Sequence, residues 1–95
     1  VKLVWSRLAV EALREVRRRS MERWGCDVAL RYLGDLRDAA KRVAAEPLAA
    51  RELRGDLRIL RVRSHYLIVH VNDGTSTVTV ARVLHAAMDV ERHLP

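Results

Sequence analysis

Residues 57–89 read LRILRVRSHYLIVHVNDGTSTVTVARVLHAAMD, and the fold is decided there. Ile59, Leu60 and Val62 form a first apolar run with Arg58, Arg61 and Arg63 interleaved. Tyr66 to Val71 is a second run, rich in side chains that fit a pleated surface. Asn72-Asp73-Gly74 marks a tight hairpin turn, because Asp-Gly tolerates left-handed backbone angles. Thr77 to Leu84 is a third run, and its first half alternates hydroxyl with valine. That period of two predicts one buried face and one wet face. The stretch therefore predicts an antiparallel three-strand meander, followed by a polar tail from His85 to Pro95. Regular alternation would place Arg61 and Arg63 on one face and Arg58 on the other.

Upstream, Val1 to Trp5 is a short apolar run that suits an outer strand. Ser6 is placed to cap a helix in which Ala9, Leu13, Val16, Ser20 and Trp24 recur every three or four residues. Glu15 can pair with Arg18 and Arg19 on the outer face. Gly25 ends that helix, and Ala29, Leu33, Leu36, Ala40 and Val43 make the stripe of a second one. The short link between them implies an antiparallel hairpin. Pro47 stops the second helix, and Ala49 to Gly55 reads as a charged connector. A helical hairpin must hide its stripe, and a sheet must hide one face. Packing one on the other gives a two-layer α+β fold in the order β-α-α-β-β-β, a single domain over residues 1–95.

The chain carries 18 Lys and Arg against 12 Asp and Glu, a formal charge of +6, which favours an anionic partner. Cys26 is the sole cysteine, so neither an intrachain disulfide nor a thiolate metal cluster is available. No apolar stretch reaches bilayer length, and Arg7 and Glu11 break the opening run, so no signal-peptide layout is present. A reducing, cytoplasmic location with no membrane contact is the expectation. His65, His70, His85 and His93 lack close ligand spacing, and the four glycines are scattered. No metal and no cofactor are expected. By type alone, Arg58, Arg61, Arg63, His65, Tyr66, His70, Arg82 and His85 could serve a metal-free ribonuclease. His85 and Asp89 could form an imidazole–carboxylate pair.

Several pieces resemble one family in the right order. Trp5-Ser6 with Ala9 and Leu13, then Glu22-Arg23-Trp24-Gly25, resembles the first helix of ParE toxins. The stretch from Gly55 to Val71 resembles that family's glycine-x-arginine strand and central strand. Arg82-Val83-Leu84-His85 with Met88-Asp89, and then Arg92-His93-Leu94, resembles its closing signature. The resemblance implies a helical hairpin on a small antiparallel sheet, within the RelE/ParE superfamily. It implies the toxin half of a type II toxin-antitoxin pair, neutralised by a tightly bound ParD-like antitoxin. DNA gyrase is the implied target, and operator DNA is reached only through the antitoxin complex. RelE-type relatives cleave ribosome-held messenger RNA instead. Here Arg51 and Arg54 stand in a connector without lysine, and Ala86-Ala87-Met88 follows the last strand with no later tyrosine. The expectation is thus a non-enzymatic poison. Its target contacts are expected at Arg58, Arg61, Arg63, Arg82, His85, Met88, Asp89 and Arg92. The rival expectations are a RelE-type ribonuclease and a non-toxic protein that only binds antitoxin.

Overall fold

The computed structural model describes residues 1–94. The elements run β1 (Lys2–Trp5), α1 (Arg7–Trp24), α2 (Cys26–Ala45), a 3₁₀ turn (Pro47–Ala49), β2 (Arg51–Arg54), β3 (Leu57–Val62), β4 (His65–Asn72), β5 (Thr77–His85) and a second 3₁₀ turn (Val90–His93). They build one five-stranded sheet in the order β1-β5-β4-β3-β2. Strands β2 to β5 pair antiparallel in sequence order, while β1 lies parallel to β5. The expected hairpin-on-sheet α+β architecture is what the chain adopts. Among the described residues, no helix is long and apolar enough to cross a membrane.

The main core forms because three periodicities meet. Ala29, Leu33, Leu36, Ala40 and Val43 of α2 are all buried, as their helical spacing predicts. Leu33, Leu36, Ala40 and Val43 pack with Ala9 and Val16 of α1 against Leu67, Val69, Val78, Val80 and Val83 of the central strands. Leu36, Leu67, Val69 and Val80 are fully shielded from solvent, so their burial supplies much of the stabilisation.

Ser6 locks the first helix to the last strand. Its hydroxyl oxygen accepts the Ala9 N–H at 3.1 Å as the α1 cap, and the same hydroxyl donates to the Ala81 carbonyl at 2.7 Å. The Ser6 backbone N–H donates to the Val80 carbonyl at 3.0 Å. Gly25 then turns the chain between helices at φ 87°, a region that L side chains avoid.

Five expectations are corrected. The supposed connector contains an edge strand, since Arg51 to Arg54 pairs with β3 across a turn at Gly55 (φ 55°). Its sequence, RELR, lacks β-branched residues, and charges are what an exposed edge strand carries. The reverse face of the sheet is not simply wet. Leu57, Ile59, Ile68 and Leu84 form a second buried cluster, covered in part by Val90 and Leu94 of the tail. The tail is therefore docked rather than loose.

In the hairpin between β4 and β5 the left-handed residue is Ser76 (φ 50°), not Gly74. The turn spans four residues between the paired Asn72 and Thr77, and Asn72 Oδ1 accepts the Thr75 N–H at 3.3 Å. Arg61 and Arg63 do not share a face. Arg63 sits beyond β3 at φ 54°, which ends the alternation, and its guanidinium meets Asp35 of α2 at 2.7 Å. Arg61 stays with Ile59 on the reverse face, paired with Tyr66. Finally, Trp24 ends the α1 stripe but is 53% exposed, because the hairpin turn carries it past the sheet.

Replacing Ser6 removes both the cap and the bond to Ala81. Ser6→Ala should lower unfolding free energy by about 1–2 kcal/mol, with Ser6→Thr retaining most of it. Urea denaturation followed by circular dichroism checks this, read as a shift in midpoint at constant m-value.

Candidate functional site

Strand β1 pairs with β5 only from Thr77 to Val80. Beyond it the Ser6 hydroxyl donates to the Ala81 carbonyl, and Arg82 to Leu84 keep a bare outer edge. The register slips at this point, since Val69 faces Val80 while Ile68 faces Arg82. Ala81 is the extra residue of a bulge, and bulges re-aim the side chains around them. A cleft of about 570 Å³ opens between this edge and the second half of α1. That volume falls in the range of small-ligand sites.

Tyr32, Ser64, His65, Arg82, His85 and His93 supply part of its polar wall, and Glu15, Arg19, Ser20 and Arg23 of α1 supply the rest. Val16, Trp24, Val83, Leu84 and Met88 supply its apolar wall. Tyr32 comes from the buried face of α2 and is 7% exposed. A phenol buried that deeply must place its hydroxyl in a hydrogen bond. Here the oxygen accepts the Ser64 N–H at 3.2 Å and the hydroxyl meets His65 Nδ1 at 2.5 Å. The guanidinium of Arg63 lies 5.7 Å from the Tyr32 ring centre.

The rings of His65 and His85 stand edge to face at 5.2 Å. Each of the three imidazoles in the cleft uses Nδ1. That of His85 accepts the Ala87 N–H at 3.1 Å. That of His93 lies 3.1 Å from Arg82 Nη2, and a guanidinium can only donate. That of His65 takes the Tyr32 hydroxyl proton, because a buried hydroxyl must donate and His65 Nδ1 is the acceptor it meets among the described residues. This network assigns the proton of each neutral ring to Nε2. Burial, and then the neighbouring His85, hold His65 below its ordinary pKa of 6.5. The one acid among the described lining residues, Glu15, is also held low by its hydrogen bonds to Arg18 and Arg19. Among the described residues, no group of three His, Cys, Asp or Glu side chains is placed to hold a metal ion.

The cleft gathers Arg82, His85 and Met88, and leaves the other expected contacts elsewhere. Arg58 donates to the Ala50 carbonyl at 2.9 Å and so pins the 3₁₀ turn to the sheet. Arg61 donates to the Arg63 carbonyl at 2.9 Å and lies 5.8 Å from the Tyr66 ring centre on the reverse face. Asp89 does not meet His85. Its carboxylate accepts the Glu91 N–H at 3.1 Å, capping the tail turn, with Arg92 Nε at 3.9 Å. Arg82 pairs with His93 rather than with Asp89. Tyr32, Trp24 and His93 are cleft residues that residue typing did not single out. The available signal was a tyrosine next to Leu33 on an otherwise aliphatic stripe, whose hydroxyl needed a partner.

Comparison with known proteins gives the following. The family described as the ParE toxin of the type II toxin-antitoxin system parDE matches residues 3–90. The chain is 45% identical over 76 residues to "Toxin ParE1" of Mycobacterium tuberculosis (strain CDC 1551 / Oshkosh), covering 77% of this chain and 76% of that protein. The same figures hold for "Toxin ParE1" of strain ATCC 25618 / H37Rv. Among solved structures, the chromosomal ParDE toxin-antitoxin system from P. aeruginosa superposes with a TM-score of 0.76 at 16% identity, covering 90% of this chain and 95% of that one. The intact E. coli RelBE complex superposes at 0.64 with 24% identity, covering 92% and 98%. The last two likenesses concern the fold alone.

The lowered His65 pKa fixes a pH dependence. The folded protein holds this proton less tightly than the unfolded chain does. The neutral ring's contribution is complete above the ordinary value of 6.5 and drains away as pH falls from there through the folded pKa. Thermal midpoints should therefore drop by a few degrees between about pH 7.5 and about pH 5.5, and His65→Gln should flatten that slope. Differential scanning calorimetry across the window checks both.

Proposed function

The chain belongs to the ParE toxin family of type II toxin-antitoxin systems, as the toxin component, and on that premise we propose that it halts growth by binding DNA gyrase. Blocked replication is the consequence, and no bond in the target is cut by the toxin. The observation that carries this reading is the family match across residues 3–90. The cleft's hydrogen bonding supports it. Cleaving RNA at a 2′-hydroxyl needs a group able to take a proton. Each imidazole here has Nδ1 engaged by the protein itself, which takes that lone pair away from a reacting group.

A formal charge of +6 supports an acidic or DNA-bearing target. Arg61 and Arg92 stand exposed, and Arg82, His85 and Met88 gather at the bare edge of β5. We assign the gyrase contact to these residues. Arg58 and Arg63 serve the contact indirectly, by holding the turns beside it. Arginines on strands lose little conformational freedom when they bind.

The ParD-like antitoxin covers the same molecule by a complementary route. The outer edge of Arg82 to Leu84 can accept an added strand, and the exposed Trp24 and Met88 beside it can bury apolar side chains. Free sheet edges in small domains need such covering.

Purified toxin should inhibit gyrase supercoiling while leaving messenger RNA intact in a translation reaction. Adding the antitoxin should restore supercoiling. Arg61→Glu combined with Arg92→Glu should weaken inhibition by about tenfold or more at low salt, through lost charge complementarity. Codon-dependent cleavage of the message, with supercoiling untouched, would sink the reading and restore the ribonuclease alternative.

A further inference from the structure

The cleft has an uneven hydrogen-bonding character that gyrase or antitoxin binding does not require. Arg82 contributes a guanidinium, which only donates. His65 and His85 have their acceptor nitrogens used internally, by Tyr32 and by the Ala87 N–H. What remains on each ring is Nε2–H, also a donor. His93 is in the same condition, since its Nδ1 faces Arg82. The one acid among the described lining residues, Glu15, has Arg18 and Arg19 on its oxygens, so its negative charge is locally compensated. Donors without matching acceptors select an acceptor-rich ligand, and the charge selects an anion.

The apolar half of the wall narrows the class. Trp24 lies at the mouth, 53% exposed, with the Arg23 guanidinium 5.3 Å from its ring centre. That contact accounts for one face of the indole, and a planar ring can stack on the other. A carboxylate alone would leave this plane and most of the 570 Å³ unused.

We infer that this cleft is a nucleotide pocket, taking the phosphate of a nucleoside monophosphate on the Nε2–H groups of His65 and His85 with Arg82, and its base on Trp24. The site shares Arg82 and His85 with the contact assigned to gyrase, but its hydrogen-bonding argument does not depend on that reading. The phosphate needs no metal here, because its oxygens meet protein donors directly. Tyr32 is a positioning residue: its hydroxyl fixes the His65 ring so that the donor nitrogen is the free one. Occupancy would also block the bare edge of β5, so nucleotide and antitoxin strand would compete for it.

The test is calorimetric titration of the purified chain with adenosine monophosphate and, separately, with inorganic phosphate, in a buffer free of both. Saturable binding of the nucleotide is expected, about tenfold tighter than phosphate because one aromatic stack is added. His85→Ala should weaken both ligands about tenfold, the weight of one hydrogen bond to a charged acceptor. Trp24→Ala should abolish the nucleotide's advantage while leaving phosphate binding in place. Circular dichroism of each variant confirms that it folds. Nitrogen-15 spectra of the unliganded protein at neutral pH should show His65 and His85 protonated on Nε2. No saturable binding, equal affinity for nucleotide and phosphate, undiminished binding by folded His85→Ala, or an Nδ1-protonated His85 would each overturn the assignment.

Discussion

The parallel pairing of β1 with β5 stops at Val80, and much of the molecule follows from that limit. Ser6 leaves the sheet there to begin α1, held by the Val80 and Ala81 carbonyls. The helix must then cross over the sheet, which buries Ala9 and Val16 and sets the angle of the hairpin. The same departure strips the outer edge from the last residues of β5. Backbone groups that lose a strand partner must find another partner or face water. In this fold they border a cleft, so one covalent constraint both completes the core and opens the site.

Charge is distributed in two different ways around that core. On α1 it is local: Arg18 lies between Glu15 and Glu22, and Arg19 also meets Glu15. Such exposed pairs contribute little to stability, and α1 still carries six arginines against three glutamates. Around the sheet the arginines are used singly. Arg58 holds a carbonyl, Arg63 reaches an aspartate of α2, and Arg82 faces a histidine. The excess positive charge is therefore shared between α1 and the sheet, and a field spread that widely can steer an anionic macromolecular partner.

The cleft places a buried phenol, three imidazoles and a guanidinium in one hydrogen-bonded neighbourhood. A site built for proton transfer keeps at least one nitrogen lone pair available for the reacting group. Here each Nδ1 is occupied by the protein itself, and the outward chemistry is donation. That arrangement suits recognition of an anion better than cleavage of one. It also ties the tail to the site, since His93 belongs to the turn that Val90 and Leu94 anchor on the reverse face.

The layout was legible in the sequence wherever a period repeated. The aliphatic stripe of α2, the Thr-Val alternation of β5 and the cap at Ser6 each reported its element directly, because burial on one face imposes a fixed spacing. The family resemblance was equally readable, from Glu22-Arg23-Trp24-Gly25 and the closing Arg82 to Asp89 segment. Strand β2 was not legible, because an edge strand of charged residues has no apolar period to display. Nor was the parting of Arg61 from Arg63, which depends on a single left-handed residue. The site was least visible of all: Tyr32, His65, Arg82, His85 and His93 lie on four separate segments. Only packing α2 against the β3–β4 turn brings the phenol to His65, and only the early end of β1 leaves Arg82 and His85 an edge to share. Sequence spacing thus determined which faces are hidden, while tertiary contacts decided which polar groups meet, because their hydrogen bonds join residues that no local repeat connects.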